Sequence, residues 1–346
     1  MKACVLEDIG KLVYKEVETP VAGEGEVLLK IRACGICSSD IDRVLKTGTY
    51  HFPTIPGHEF AGEIVAVGAG VDSGYIGKRA AVFPLLPCKV CPSCRDERYV
   101  HCFDYSYFGS RCDGAFAEYL AVPLWNTVIF PDSLSFDEAA LCEPTAVALH
   151  AVAKAKVDSE STVVVIGSGT IGIIIALRAK QLGAKEVVVV GTSERKMEFV
   201  RSLGISKAIN AKAEDVVDGV REITSQRGAD IVFECVGSDS SLETSLSVTK
   251  KMGHIIVVGN PHGDMSIERN AYWKILRNEL TLTGVWNSSY NSQTNDWKDA
   301  LEFIARDDVD LAKLITHRFS LEQHKAAFDA ITDRNEFTVK VMFINE

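Results

Sequence analysis

The chain has 346 residues, 47% of them hydrophobic and 24% charged, and a net charge of −10. This length is typical of two folded domains, and the acidic balance excludes the basic stripe that a nucleic-acid surface needs. The sequence shows neither a signal peptide nor an apolar run long enough to span a membrane. Its ten cysteines fit a reducing compartment better than a disulfide framework, so we expect a cytoplasmic protein.

The start of the chain predicts antiparallel β structure. Three short runs of β-forming residues, 3–6, 12–14 and 27–33, are separated by glycines and a proline. Short strands with such tight turns pair with their neighbours in the chain. The first lobe is therefore expected to be rich in β structure.

Four residues in the first half of the chain indicate a catalytic zinc site. Cys37 closes a C-x2-C pair, His58 and Glu59 stand side by side, and Glu143 follows later. Thiolate, imidazole and carboxylate ligands can hold zinc while leaving one coordination position open. Taken alone, His58 would be a structural histidine and Glu143 a charge at a helix N-terminus. Their combination favours a metal site over these separate structural roles.

A second metal site is indicated by the closely spaced cysteines. Cys88, Cys91, Cys94 and Cys102 are separated by gaps of two, two and seven residues. A closed shell of four thiolates selects zinc or an iron–sulfur cluster. The gap of seven and the following Phe103 do not match the bacterial cluster pattern, so structural zinc is favoured. The alternative is a pair of disulfides.

A glycine-rich turn in the second half predicts a dinucleotide site. A β-branched strand at 163–166 runs into G-x-G-x-x-G and then into an apolar helix. Such glycines allow a tight turn, close approach of the pyrophosphate and packing of the helix, whose N-terminus faces the phosphates. The residues expected at the cofactor are Gly167, Gly169, Thr170, Ile171 and Gly172.

The end of the next strand favours NADP over NAD. An acidic residue there would bond the ribose 2′-hydroxyl of NAD, but Gly191 occupies the position. Thr192 and Ser193 can donate hydroxyl groups, and Arg195 or Lys196 can neutralise a 2′-phosphate. The alternative is that Ser193 only caps the following helix.

Further alternation of strands and helices predicts a doubly wound parallel sheet. Because this sheet is embedded in a β-rich chain, the residues after about 288 are expected to return to the first lobe. The predicted strands are 187–190, 207–210, 230–234, 254–258 and 280–283.

Together these motifs resemble the zinc-dependent medium-chain dehydrogenases/reductases. Segments 83–88, 108–119 and 143–150 are most similar to the polyol branch of that family. The resemblance implies an α/β chain with a GroES-like, β-rich catalytic domain and a doubly wound parallel Rossmann domain. The implied boundaries are 1–147 with 288–346 for the catalytic domain and 148–287 for the Rossmann domain.

The resemblance also implies an activity, namely reversible oxidation of a secondary alcohol of a polyol or polyol phosphate to a ketone. One catalytic and one structural zinc are implied, with Cys37 and His58 as catalytic-zinc ligands. Glu59 and Glu143 match the two carboxylates of the site, and which of them contacts the metal stays open. Ser39 is expected to be the first proton acceptor.

Two sets of residues are less well defined. One forms the outer end of the proton relay that begins at Ser39, and the other contacts the substrate. Many relatives carry a histidine soon after the ligand cysteine, which is absent here, and His51 could replace it or lie at the surface. Arg43, Arg111 and Asn287 are predicted to contact the substrate, and the two arginines could bind a phosphate. Each arginine could instead form a surface or structural ion pair. Asn287 stands where free-polyol members tend to carry an arginine.

Other functions remain open at this point. One is a dehydrogenase of free polyols or of threonine-like secondary alcohols, and another is a non-enzymatic NADPH-binding relative. A zinc-ribbon adaptor would explain the four cysteines but not the glycine-rich turn. The resemblance implies a homodimer or homotetramer, and an apolar strand near Leu280, expected at a sheet edge, could pair with a second subunit.

Overall fold

The computed structural model describes residues 1–261 and 263–345. It divides into two compact units, one made of Met1–Ala146 with Ser289–Glu346 and the other of Val147–Ser288. These limits differ by one residue at each boundary from those implied by the sequence. Position 346, where the predicted catalytic domain ends, lies outside the described residues.

The first unit is built on β structure. Strands β1 and β2 form an antiparallel pair, as predicted, and seven strands form a larger sheet in the order β16-β17-β3-β4-β5-β9, with β8 also paired to β3. The strands are β1 Lys2–Asp8, β2 Lys11–Glu16, β3 Glu26–Gly35, β4 Glu59–Val67, β5 Arg79–Val82, β6 Leu85–Leu86, β7 Ser106–Tyr107, β8 Tyr119–Pro123, β9 Thr127–Ile129, β16 Ile315–Phe319 and β17 Lys340–Ile344.

Short helices connect these strands. Five of the connections are 3-10 turns, at Ser73–Tyr75, Tyr99–His101, Leu124–Asn126, Leu311–Leu314 and Leu321–Gln323, and a π-helical turn covers Arg43–Thr47. The α-helices that begin in this unit are α1 Ser38–Asp42, α2 Pro92–Arg95, α3 Phe136–Ala140, α4 Cys142–Ala155, α10 Asp296–Ile304 and α11 His324–Thr332.

The core of this unit follows from the alternation along β3. Val27, Leu29 and Ile31 are fully buried while the intervening residues are partly exposed, which is the period-two pattern of a strand with one buried face. They share a cluster with Phe116 and Phe343, whose rings meet edge to face at 4.9 Å. Burial of each such side chain contributes about 1.5–3 kcal/mol relative to exposure.

The second unit is the predicted doubly wound domain. Its six parallel strands have the order β12-β11-β10-β13-β14-β15, and central strand β10 is buried throughout, as expected when helices cover both faces. The strands are β10 Thr162–Ile166, β11 Glu186–Gly191, β12 Lys207–Asn210, β13 Ala229–Glu234, β14 Thr249–Val257 and β15 Thr281–Gly284. The helices are α5 Thr170–Gln181, α6 Glu194–Ser202, α7 Val216–Ile223, α8 Asp239–Val248 and α9 Arg269–Arg277.

A helix that crosses a lipid bilayer needs about 20 consecutive, mostly apolar residues. In residues 1–261 and 263–345, none combines the length and the apolar character that crossing a membrane would take.

Candidate active site

Strand pairing explains why Cys37 lies close to His58 and Glu59. Strand β3 ends at Gly35, which pairs directly with Glu59 at the start of antiparallel β4. A side chain at position 35 would collide with the Glu59 carboxylate, so glycine leaves the space for it. Cys37 then forms the N-cap of α1, which turns the chain immediately after the strand.

Three of the predicted ligands converge. The ligand atoms of Cys37, His58 and Glu59 all lie within 4.8 Å of one another, and the histidine and glutamate are buried. One thiolate, one imidazole and one carboxylate are a donor set that fits zinc with an open position. Glu143 is not a member of this group among the described residues.

Glu143 lies in the first turn of α4. This position also fits the simpler interpretation of Glu143 as a negative charge at a helix N-terminus. Burial raises the pKa of its carboxyl to about 7, since the low-polarity surroundings disfavour the charged form. The Tyr107 hydroxyl donates to Glu143 Oε1 at 3.4 Å, and the Tyr107 ring lies edge-on to His58 at 5.7 Å. The carboxyl group is therefore held beside the histidine.

Asp40 is a site residue that the sequence reasoning missed. It is fully buried, its Oδ1 lies 3.2 Å from His58 Nδ1, and the contact is not aligned as a hydrogen bond. Burial alone would lower the pKa of His58, but the neighbouring Asp40 carboxylate raises it well above its usual range. A signal was present, because a carboxylate three residues after an N-cap can bond the N-cap N–H. Here Asp40 Oδ2 accepts from Cys37 N at 3.1 Å.

Lys340 is another site residue that the sequence reasoning missed, as is Tyr107, which contacts Glu143 and His58. Lys340 opens β17 and its ammonium group donates to Glu59 Oε2 and to the Ile36 carbonyl at 3.3 Å. Burial alone would lower the pKa of Lys340, but Glu59 raises it above its usual value. No spacing in the sequence links these positions, because the pairing of β17 with β3 brings them together.

The four cysteines of the 88–102 segment, here called the four-cysteine lobe, lie close together. The sulfurs of Cys88, Cys91, Cys94 and Cys102 all lie within 4.8 Å of one another, and the Cys88–Cys94 and Cys91–Cys102 distances are both 3.9 Å. All ten cysteines are free, so the disulfide alternative is wrong. Two sulfurs on one tetrahedral zinc stand about 3.8 Å apart, which fits these distances.

Thiolate character is already favoured at one of the four. Backbone N–H groups, that of Phe103 foremost, lower the pKa of Cys91 to about 6. A metal ligand must be deprotonated, so this environment assists metal binding near neutral pH.

The glycine-rich turn has the geometry that its sequence predicts. Gly167 has φ +118°, a conformation that side chains disfavour. A side chain at Gly169 would meet nothing within 4 Å, whereas one at Gly172 would collide with the Gly167 carbonyl oxygen. The second glycine thus leaves room beside the backbone, the third allows close packing, and Thr170 and Ile171 open α5. These features fit a pyrophosphate at the helix N-terminus.

The end of β11 has little room for an acidic side chain. A Cβ at Gly191 would lie 2.5 Å from both Met197 Cε and Ser168 Oγ. Thr192 is exposed. Ser193 is the N-cap of α6, but its hydroxyl makes no capping hydrogen bond, contrary to the alternative that it serves only as a cap.

The charged side chains that follow Ser193 differ in their surroundings. Glu194 Oε1 accepts from Arg201 at 2.8 Å and Glu194 Oε2 accepts from Asn210 at 3.2 Å. Burial lowers the pKa of Lys196, and Arg195 is exposed. The Glu194 carboxylate is therefore occupied by an arginine and an amide.

The predicted substrate arginines have different surroundings. Arg43 Nη1 donates to Ser39 Oγ at 2.9 Å. Arg111 lies over the rings of Tyr50 and Tyr105, at 4.0 and 4.5 Å from their centroids, and donates to Tyr50 Oη at 3.1 Å. In the described part of the chain no carboxylate forms an ion pair with Arg111 within 4.0 Å, and its charge lies against the two tyrosine rings.

Asn287 is predicted to contact the substrate, and His51 is predicted either to replace the missing relay histidine or to lie at the surface. Asn287 adopts φ +56°, a conformation that asparagine tolerates better than most residues, and its Oδ1 accepts from the Ser288 hydroxyl at 3.1 Å. His51 is exposed, and its Nε2 lies 3.2 Å from the Arg111 carbonyl oxygen. Both assignments stay predictions.

Comparison with known families identifies both units. Residues 23–132 match the alcohol dehydrogenase GroES-like domain, and residues 170–306 match the zinc-binding dehydrogenase family. Sorbitol dehydrogenase of Bacillus subtilis is 34% identical over 348 residues, covering 99% of this chain and 96% of that protein. Galactitol 1-phosphate 5-dehydrogenase of Escherichia coli is 34% identical over 346 residues, covering 99% and 100%.

Solved structures give the same result. Galactitol-1-phosphate dehydrogenase from Escherichia coli superposes with a TM-score of 0.92 at 33% identity, with 100% of both chains covered. A zinc-binding dehydrogenase of Sinorhizobium meliloti, determined with NADP bound, superposes with a TM-score of 0.90 at 28% identity, with 99% of each chain covered.

The chain belongs to the zinc-binding dehydrogenase family. It is an enzyme of the alcohol dehydrogenase class that uses zinc and a nicotinamide cofactor on a small-molecule substrate. The predicted family, fold class and enzyme class are confirmed.

Proposed function

We propose that the enzyme reversibly oxidises a secondary alcohol of a polyol or polyol phosphate to the ketone, with NADP as its preferred cofactor. The observation that carries the proposal is the convergence of Cys37, His58 and Glu59 within 4.8 Å. Sorbitol and galactitol 1-phosphate dehydrogenases among the relatives support the substrate class.

The protein's own residues would have distinct tasks. Cys37, His58 and Glu59 would hold zinc, with Glu143 beside them, and Ser39 would accept the alcohol proton. Bound zinc supplies Lewis-acid polarisation of the alcohol oxygen, and the nicotinamide supplies the hydride acceptor. The Asp40 carboxylate, 3.2 Å from His58 Nδ1, lies where outer carboxylates commonly support histidine ligands.

A second zinc would be structural. The four cysteines form a closed shell that leaves no position for substrate, so this metal would hold the 88–102 lobe together. We therefore expect about two zinc ions per chain, one catalytic and one structural.

The preference for NADP is supported by the end of β11. Gly191 provides no carboxylate to repel a 2′-phosphate, and Thr192 is exposed while the Ser193 hydroxyl is not used for capping. Arg195 and Lys196 would contribute positive charge. The comparison of kcat/KM for NADPH and NADH tests this, and a strong preference for NADH would contradict it.

The environment of Arg111 supports a phosphorylated substrate. Two tyrosine rings hold the guanidinium, and such a fixed group suits a phosphate, which arginine can bind with two parallel hydrogen bonds. Arg111 also follows the turn that begins at Tyr107, whose ring contacts His58. A phosphate at Arg111 would therefore be held on the same turn as the ring that contacts His58.

A substrate screen tests the whole proposal. Zinc-loaded enzyme would be assayed with sorbitol, xylitol and galactitol and with their 1-phosphates, using NADP and NAD in parallel. We expect ketone formation, with higher kcat/KM for at least one phosphate than for its free polyol. Oxidation of the free polyols alone would favour the alternative free-polyol dehydrogenase, and no reduction of either cofactor would reject the proposal.

Assembly as a homodimer or homotetramer is part of the same proposal. Strand β15 lies at the edge of the six-stranded sheet and presents unpaired backbone groups. Leu282 on this strand and Trp273 and Leu276 on α9 are exposed, and exposed apolar side chains of this size favour burial against a partner. Sedimentation velocity would distinguish dimer, tetramer and monomer.

A further inference from the structure

Arg43 lies at the centre of a hydrogen-bond network rather than in open space. It begins the π-helical turn directly after α1, and residues four positions apart on a helix face the same side. Its Nη1 donates to Ser39 Oγ at 2.9 Å and to Asp40 Oδ1 at 3.3 Å. One guanidinium nitrogen therefore bridges the expected proton acceptor and the carboxylate behind His58.

The bridge helps to compensate a buried charge. Asp40 is fully buried, and a buried carboxylate needs several donors to offset its lost hydration. Asp40 accepts hydrogen bonds from the Cys37 N–H at 3.1 Å and from Arg43 at 3.3 Å, and His58 Nδ1 lies 3.2 Å away without the alignment of a hydrogen bond. Removal of the guanidinium would leave Asp40 more dependent on His58 and freer to move.

The bridge also determines the direction of the Ser39 hydroxyl. Arginine has five donors and no acceptor, and it keeps its proton, so the Ser39 oxygen must accept from Arg43. The Ser39 hydrogen consequently points away from the guanidinium, and the oxygen keeps one lone pair for a second donor. Arg43 thus orients the acceptor without taking the proton itself.

We propose that Arg43 is a positioning residue, which fixes the Ser39 hydroxyl and the Asp40 carboxylate, and that it does not serve as the phosphate ligand of the substrate. This inference rests on the proposed function for its kinetic consequence. It replaces the prediction that Arg43 contacts the substrate.

Steady-state kinetics separate the two roles. Arg43→Gln should lower kcat by about 10–100-fold, because small misplacement of a reacting group has effects of that size. The loss should be equal for a polyol and its 1-phosphate, with KM changed less than about twofold, and Arg43→Lys should recover part of it. A rise in KM confined to the phosphate, with kcat unchanged, would overturn the proposal.

The matched control is Lys46→Gln. Lys46 lies on the same π-helical turn, is exposed, and forms an ion pair with Asp42 at 2.8 Å. Exposed pairs of this kind contribute little, so its kinetics should match those of the wild type. A loss as large as that of Arg43→Gln would mean that any lost charge on this turn is harmful, which would also overturn the proposal.

A double-mutant cycle tests whether Arg43 acts through Ser39. If it does, Arg43→Gln should add less than about twofold to the loss of kcat already caused by Ser39→Ala, because residues acting as a unit are not additive. Full multiplication of the two effects would show that Arg43 acts independently of Ser39.

Release of zinc provides a readout that does not depend on turnover. Zinc-loaded Arg43→Gln should lose one of its zinc ions to a chelator several times faster than wild type or Lys46→Gln, as Asp40 supports His58 less well. An unchanged release rate would contradict the link through Asp40. If the wild type oxidises no alcohol, the proposed function fails, and the release rates still decide the role of Arg43.

Discussion

Lys340 Nζ donates to Glu59 Oε2 at 2.6 Å, although 281 residues separate the two in the chain. Both side chains are almost fully buried, with 5% and 2% of their surface exposed. The antiparallel pairing of β17 with β3, and of β3 with β4, brings them together. One oxygen of a proposed zinc ligand is therefore engaged by a buried cation, which partly neutralises the carboxylate.

Removal of this cation should be costly. Lys340→Met leaves the Glu59 carboxylate buried without its partner, and breaking such a pair typically destabilises by about 3–5 kcal/mol. We expect the free energy of unfolding in urea to fall by that order. Lys340→Arg should retain part of the stability, because it keeps the positive charge although its larger guanidinium must fit a buried site. Equal stability of Lys340→Met and wild type would show that the pair contributes nothing.

The four-cysteine lobe should lose its metal when one buried sulfur is removed. Cys94→Ser replaces a buried thiol by a hydroxyl that binds zinc poorly. We expect one zinc fewer per chain by metal analysis and a melting temperature lower by several degrees, because structural zinc contributes folding energy. Cys112→Ser, outside both clusters, is the control and should retain all zinc. Full zinc content in Cys94→Ser would reject the structural site.

Cofactor choice should respond to a charge at position 191. Gly191→Asp places a carboxylate where a 2′-phosphate is proposed to bind, and its Cβ must also displace Met197 and Ser168. Gly191→Ala causes the same crowding without the charge, so it isolates the electrostatic effect. We expect kcat/KM for NADPH to fall about 10–100-fold further in Gly191→Asp than in Gly191→Ala, with a smaller difference for NADH. Equal losses in both variants would argue against a phosphate at this position.

The sequence predicted features that depend on local spacing. The glycine-rich turn and the four cysteines each lie within a short segment, so spacing alone constrains their geometry. The position of Lys340 depends on pairing between distant strands, and no residue near it in the chain signals the partner. Asp40 was within reach of the capping rule, and Tyr107 was not, because its contact with Glu143 crosses from a short strand to a distant helix.

Acid should weaken the link between α3 and β16. Arg318 donates to Asp137 Oδ2 from Nε at 2.9 Å and from Nη2 at 2.7 Å. Partial burial alone would raise the pKa of Asp137, but hydrogen bonds from Ser135 and Arg318 lower it below its usual value. The ionised group therefore stabilises the fold above the unfolded-state pKa, and this contribution is lost as the pH falls through the lowered folded-state pKa.

Asp137→Asn tests this dependence. Because the arginine is nearly half exposed, we expect a loss of only about 1 kcal/mol in the free energy of unfolding at pH 7. The difference from wild type should shrink as the pH is lowered below about 4, where the unfolded chain takes up the proton. Asp132→Asn, which alters an almost fully exposed carboxylate 3.8 Å from Arg79, should change stability by only a few tenths of a kcal/mol. Urea unfolding at several pH values measures both variants, and a difference for Asp137→Asn that stays constant with pH would contradict the assignment.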